Sequence, residues 1–190
     1  MYIVMDCETT GLPRNWKAPV SDLDNWPRMI QIAWTRLDWE ARPIETRAFL
    51  IRPAGFVIPQ ESQRVHGITT ERALAEGKPL GAGLSEFADA VGQSKVIVAH
   101  NLRFDESVIS AEYLRLSRSP PFGDRKRICT MIETVELCRL PGPYGFKWPS
   151  LSELHFFLFG TGYEEAHDAG ADVAACTDCF IELKHRNVFN

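Results

Sequence analysis

Four acids and one histidine stand where acids are least expected. Asp6 and Glu8 end the apolar run Tyr2-Ile3-Val4-Met5, Asp105 closely follows Val96-Ile97-Val98-Ala99, and Asp172 lies five residues after His167. An i, i+2 pair in a strand points both carboxylates to one face. The two most apolar strands are expected to be central neighbours. Asp6, Glu8 and Asp105 then meet at the carboxyl edge of the sheet, where α/β folds bind ligands. Carboxylates crowded at ~4 Å repel and stay ionised only beside positive charge. Arg103 is the one basic residue inside these segments, so divalent cations are the better answer. Oxygen-only donors favour Mg²⁺ or Mn²⁺. Four carboxylates balance two such ions before any phosphate arrives. Two ions ~4 Å apart suit in-line displacement at phosphorus, one activating the attacking water and one stabilising the leaving oxygen. His167 is the candidate proton acceptor, since the intrinsic pKa of histidine lies near working pH.

These side chains need a scaffold, and the pattern supplies one. Strands are expected over residues 2–6, 29–37, 44–52, 95–99 and 127–132, the second alternating Ile30, Ile32 and Trp34 against Gln31, Ala33 and Thr35. Residues 38–43 suit a hairpin. Helices are expected in pieces over 59–93, one after a Thr cap and one from Leu80 to Val91. Further helices are expected over 104–116, from Ser150 to Leu158 with a Ser150–Glu153 capping box, and over 168–184. Residues 12–27 and 139–149 read as loops. Hairpin-linked strands first and alternating units later imply a mixed sheet with helices on both faces, in one domain over 1–190.

The chain has 190 residues, with 45% hydrophobic and 24% charged, which excludes disorder, collagen and coiled coil as the main state. With 21 basic and 25 acidic residues, the net charge is −4, unlike a binder held by bulk basic charge. Bound cations, however, reverse the local sign. No apolar stretch reaches ~18 residues, and residues 1–8 lack the basic leader of a signal peptide. Five cysteines at irregular spacing fit reduced thiols, so the expected compartment is the cytoplasm.

Asp6-Cys7-Glu8-Thr9-Thr10-Gly11, His100-Asn101-Leu102-Arg103-Phe104-Asp105 and His167-Asp168-Ala169-Gly170-Ala171-Asp172 resemble the three exonuclease motifs of the DEDDh group of DnaQ-like 3′–5′ exonucleases. Val65-His66-Gly67-Ile68-Thr69 is similar to a further family segment near the terminal nucleotide. The resemblance runs from residue 2 to about 183. It implies an RNase H-like α/β fold with a central five-stranded mixed sheet. It also implies two-metal release of nucleoside 5′-monophosphates from the 3′ end of single-stranded nucleic acid, with DNA ahead of RNA. Carried over, Asp6, Glu8, Asp105 and Asp172 are metal ligands and His167 is the general base. Thr9 and Thr10 meet the terminal nucleotide, Leu12 and His66 pack against it, and Asn101 and Phe104 support the strand and pocket. The loops at 13–27 and 139–149 fit no substrate subgroup, and polymerase association and oligomeric state stay open.

Blander readings compete at several positions. Asp168 suits a helix N-cap, His100 a strand-end histidine satisfied by hydrogen bonds, His66 a helix C-cap before Gly67, and Thr9 and Thr10 a turn. His155 and His185 read as surface or packing residues. Cys176 and Cys179, in one C-x-x-C, read as buried thiols. Arg125-Lys126-Arg127 is either a solvated loop or a phosphate contact. The main functional alternative is a non-catalytic or polymerase-associated nucleic-acid-binding module on the same fold. A thiol-redox protein and a His-Asp phosphohydrolase rank below it.

Overall fold

The computed structural model describes residues 1–164 and 166–189. Five strands, β1 (Tyr2–Thr9), β2 (Met29–Leu37), β3 (Pro43–Leu50), β4 (Val96–Ala99) and β5 (Lys126–Cys129), lie in the order β3-β2-β1-β4-β5. β1 runs antiparallel to β2 and parallel to β4, and β4 runs parallel to β5. The helices are α1 (Gln60–His66), α2 (Thr70–Glu76), α3 (Leu80–Gly92), α4 (Leu102–Arg115), α5 (Thr130–Glu133), α6 (Val135–Cys138), α7 (Leu151–Phe159) and α8 (Ala169–His185). This is the mixed α/β sheet of an RNase H-like fold. Among the described residues no helix is long and apolar enough to cross a membrane.

The pleat of β1 divides the core. Ile3, Met5 and Cys7 pack with Leu84 and Phe87 of α3 and with Val108 and Ile109 of α4. Val4 faces the other way, onto Leu154 of α7 and Cys176, Cys179 and Phe180 of α8. Because side chains alternate along a strand, Asp6 and Glu8 continue the Val4 face towards α8. Small residues let α8 come close. Ala33 of β2 packs on Ala169 and Val173, and a Cβ on Gly170 would stand 3.3 Å from the Ala48 Cβ.

Three expectations need correction. β2 is buried along its whole length rather than on alternate residues, because helices cover both faces of the sheet. The segment 127–132 is strand only to Cys129, after which α5 begins. Residues 139–149 are not all loop: Pro141–Gly142 (β6) and Gly145–Phe146 (β7) form a small antiparallel hairpin. The expected cap of α7 is present, with Ser150 accepting from Glu153 N–H and Glu153 accepting from Ser150 N–H.

The segment 13–27 has no regular structure yet is firmly tied. Asn15 N–H donates to Asn25 Oδ1 at 2.7 Å, and Trp26 Nε1 donates to Pro19 O at 3.1 Å. Arg115 of α4 donates to the carbonyls of Leu23 and Trp26 at 2.6 and 2.7 Å. Beneath it lies Glu112, 0% exposed, which accepts from Arg28 Nε and Met29 N–H at 2.9 Å and pairs with Arg115 at 3.1 Å.

Candidate active site

The acids arrive from three elements. Asp6 and Glu8 come from the α8 face of β1. Asp105, in the first turn of α4 and only 2% exposed, reaches across the strand end, where its Oδ1 accepts the Cys7 N–H at 3.0 Å. That bond ties Asp105 to the backbone between Asp6 and Glu8. Asp172 enters from the first turn of α8. Glu8, His167 and Asp172 each offer one ligand atom, and these atoms lie within 4.8 Å of one another.

The start of α8 is fixed from both ends. Asp168 caps it, accepting from Gly170 and Ala171 N–H at 2.9 and 3.2 Å. Gln31, paired with Glu8 in the ladder, donates to Asp168 Oδ2 at 2.7 Å and accepts from Ala169 N–H at 3.0 Å. Tyr163 O–H donates to Asp172 Oδ1 at 2.7 Å, and the His167 N–H donates to Oδ2 at 3.3 Å. His167 itself is exposed and holds a φ of 71°, an uncommon conformation for a residue with a side chain.

Crowding leaves an electrostatic signature. Burial, then the charges of Asp105, Asp172, Glu8 and Asp168, pushes the Asp6 carboxyl well above the usual carboxylate range. Burial, followed by Asp172, Asp105 and Asp168, pushes Glu8 up to about 8. Burial raises Asp105 against the hydrogen bonds from Cys7, and raises Asp172 against those from Tyr163 and His167. Burial is the common first cause, with the charges of neighbouring carboxylates added to it. An all-oxygen set that lacks counter-charge fits hard divalent cations.

The remaining candidates fall in two groups. Thr9 Oγ1 donates to Gly11 O at 2.7 Å and Thr10 Oγ1 accepts from Arg28 N–H at 2.9 Å, so both hydroxyls build the turn after Glu8. Leu12 is 72% exposed beside them. His66 ends α1, and its Nδ1 accepts from Ile68 N–H at 3.0 Å. Among the described residues its buried Nε2 has no hydrogen-bond partner, and burial lowers its pKa. Asn101, at φ 70°, precedes α4 and accepts the Phe104 N–H. Phe104 packs at a tilt against Trp16, with ring centroids 5.8 Å apart.

Other residues are structural. His100 bonds Thr130 Oγ1 and Pro149 O at 3.0 and 2.9 Å, and burial lowers its pKa to about 4. His155 is buried, with its Nδ1 2.9 Å from Thr161 O. Cys176 and Cys179 are buried free thiols whose pKa values burial raises. Arg125 is spent on carbonyls of residues 91, 94, 121 and 122, and Arg127 on Glu106. Arg103 donates to Trp16 O at 2.6 Å. Tyr163 and Gln31 were missed as site residues. A glutamine amid the apolar residues of β2 was a readable signal, whereas nothing local marks Tyr163.

The sequence profile of the exonuclease family matches residues 3–180. The chain belongs to the exonuclease family. Among curated relatives, the PolC-type DNA polymerase III of Streptococcus suis is 32% identical over 174 residues, 92% of this chain but 10% of the polymerase. Among solved structures, Escherichia coli exonuclease I in complex with a dT13 oligonucleotide matches with a TM-score of 0.77 and 23% identity, over 98% of this chain and 41% of that one. A zinc-bound exonuclease I–single-stranded DNA complex matches at 0.76 and 26% identity, over 99% of this chain and 42% of that one. This exonuclease-family chain thus spans a tenth of the polymerase and about two fifths of exonuclease I.

Proposed function

We propose that this chain is a metal-dependent 3′–5′ exonuclease that removes nucleoside 5′-monophosphates from single-stranded ends. The observation that carries the reading is the gathering of Asp6, Glu8, Asp105 and Asp172 from three elements into one uncompensated acidic cluster. Asp6, Glu8, Asp105 and Asp172 would hold two divalent cations, Mg²⁺ or Mn²⁺. Once bound, such ions neutralise the phosphodiester, acidify the attacking water and stabilise the leaving oxygen.

The chain's own residues do the rest. His167, exposed beside Glu8 and Asp172, accepts the proton of the attacking water. Tyr163 fixes Asp172 through its Oδ1. The turn at Thr9 and Thr10 presents backbone to the terminal nucleotide, exposed Leu12 packs on its base, and His66, buried at the end of α1, backs that pocket. Asn101 and Phe104 set the start of α4 and thereby Asp105. The single-stranded DNA carried by exonuclease I supports DNA over RNA. The PolC-type relative favours a second reading, in which the same site serves a polymerase.

With Mg²⁺ or Mn²⁺ a 5′-labelled oligonucleotide should shorten stepwise, and EDTA should stop it. Asp6→Ala and Asp172→Ala should each abolish shortening in a folded protein, and His167→Ala should lose most of the rate. Full activity of Asp6→Ala would sink the assignment. Tight binding with no turnover in either metal would favour the non-catalytic module instead.

A further inference from the structure

A second feature adjoins the acidic cluster and differs from it in sign. The turn after β1, the segment 13–27 and Arg115 of α4 border an open cleft of about 420 Å³, lined among others by Thr10, Arg14, Asp24 and Arg28, a size within the range of ligand pockets. Its floor is formed by Arg28 and Arg115, with Glu112 buried behind them. There one carboxylate serves two guanidinium groups, Arg28 and Arg115, whose side chains remain 28% and 14% exposed. Arg14 adds a third guanidinium. It is exposed, and among the described residues it makes no ion pair. Asp24 supplies the one carboxylate of the lining itself, with Glu112 buried behind it. Three guanidinium groups face two carboxylates, so one positive charge is in excess in a chain that is acidic overall.

The cleft is joined to the site through Thr10. Its N–H donates to Arg28 O and its Oγ1 accepts the Arg28 N–H, both at 2.9 Å. Glu8 lies two residues earlier, about 7 Å of extended chain away. A strand whose end reaches the acids can therefore place another of its singly charged phosphodiesters over the arginines. Guanidinium forks match phosphate oxygens.

We propose that this cleft is a phosphate subsite for the nucleic-acid strand, with Arg14 as its free donor and Arg28 and Arg115 as its fixed positive floor. The proposal rests on the exonuclease reading of the acidic site and supplies the grip on the strand that the net charge withholds. Arg14 is the residue to change, because Arg28 and Arg115 also hold Glu112.

Two probes separate the subsite from the chemistry. The p-nitrophenyl ester of thymidine 5′-monophosphate reports the acidic site without a strand, and a 5′-fluorescent oligothymidylate reports both. Arg14→Ala should lower the ratio of oligonucleotide to ester turnover about tenfold, the scale of one charge-assisted hydrogen bond. Anisotropy of the same oligonucleotide in Ca²⁺ should show weaker binding. Its slope of log affinity against log salt should be shallower by about 0.7, the value of one single-strand phosphate contact. Arg14→Glu should weaken binding further and Arg14→Lys should restore the slope. An unchanged slope and affinity in Arg14→Ala and Arg14→Glu would overturn the subsite, whatever the ester shows. Absence of turnover on both probes, with the Arg14 effect on binding intact, would instead overturn the exonuclease reading and leave the phosphate site standing.

Discussion

Replacing Glu8 by Gln should stabilise the metal-free protein, and by an amount that depends on pH. In the folded chain burial and the charges of Asp172, Asp105 and Asp168 hold the Glu8 pKa at about 8, against 4.5 for an ordinary glutamate. Between those values the folded chain keeps a proton that the unfolded chain has released. Wild-type stability from this group is therefore complete below about pH 4.5 and is lost as pH rises towards 8. The slope is at most about 1.4 kcal/mol per pH unit, or roughly 3.4 kcal/mol between pH 4.5 and 7. Glu8 is only half-buried, so water reduces this to about 2–3 kcal/mol. Glu8→Gln, which cannot ionise, should match wild type near pH 4.5 and exceed it at pH 7 by roughly 5–10 °C in Tm for a chain of this length. Melts of both proteins in EDTA across that range provide the test, and the difference between them cancels His100, whose burial acts in the opposite direction below pH 6.5. Excess Mn²⁺ should reverse the order at pH 7, since about 4.1 kcal/mol accrues to wild type at roughly a thousand times its dissociation constant, more than Glu8→Gln gains. Equal Tm values in EDTA at pH 7, or a less stable Glu8→Gln, would refute the idea that Glu8 sits among uncompensated acids.

Two further substitutions test the parts that hold the site. Glu112→Gln leaves Arg28 and Arg115 without their shared counter-charge and should cost about 3 kcal/mol in urea unfolding, with faster proteolysis within 13–27; a loss under ~0.5 kcal/mol would contradict the pinning. Tyr163→Phe removes the hydrogen bond to Asp172 Oδ1 and should raise the Mn²⁺ dissociation constant about tenfold by titration calorimetry, whereas unchanged affinity would make Tyr163 a packing residue.

What could be read from the sequence was local. The apolar runs of β1 and β4, the Ser150–Glu153 box and the i, i+2 spacing of Asp6 and Glu8 depend on neighbours within a few residues, and their placement followed. The crossing of Asp105 onto the Cys7 N–H joins residues 98 apart, and it was reached only through the expectation that β1 and β4 are adjacent. Pairings without such a guide were lost. Glu112 looks like any polar position of a helix with an arginine one turn on, yet its partners Arg28 and Met29 lie more than 80 residues back, and it gives order to a segment that reads as plain loop. Tyr163 acts on Asp172 across the turn before α8. The hairpin of β6 and β7 has only two residues per strand, too few for a period to show.

The most direct measurement is anomalous scattering from crystals of the protein grown with Mn²⁺. Two manganese peaks bounded by Asp6, Glu8, Asp105 and Asp172 are expected, and they should vanish in Asp6→Asn. Manganese absent from that cluster, or bound equally well without the Asp6 charge, would contradict the claim that these acids gather to hold divalent cations.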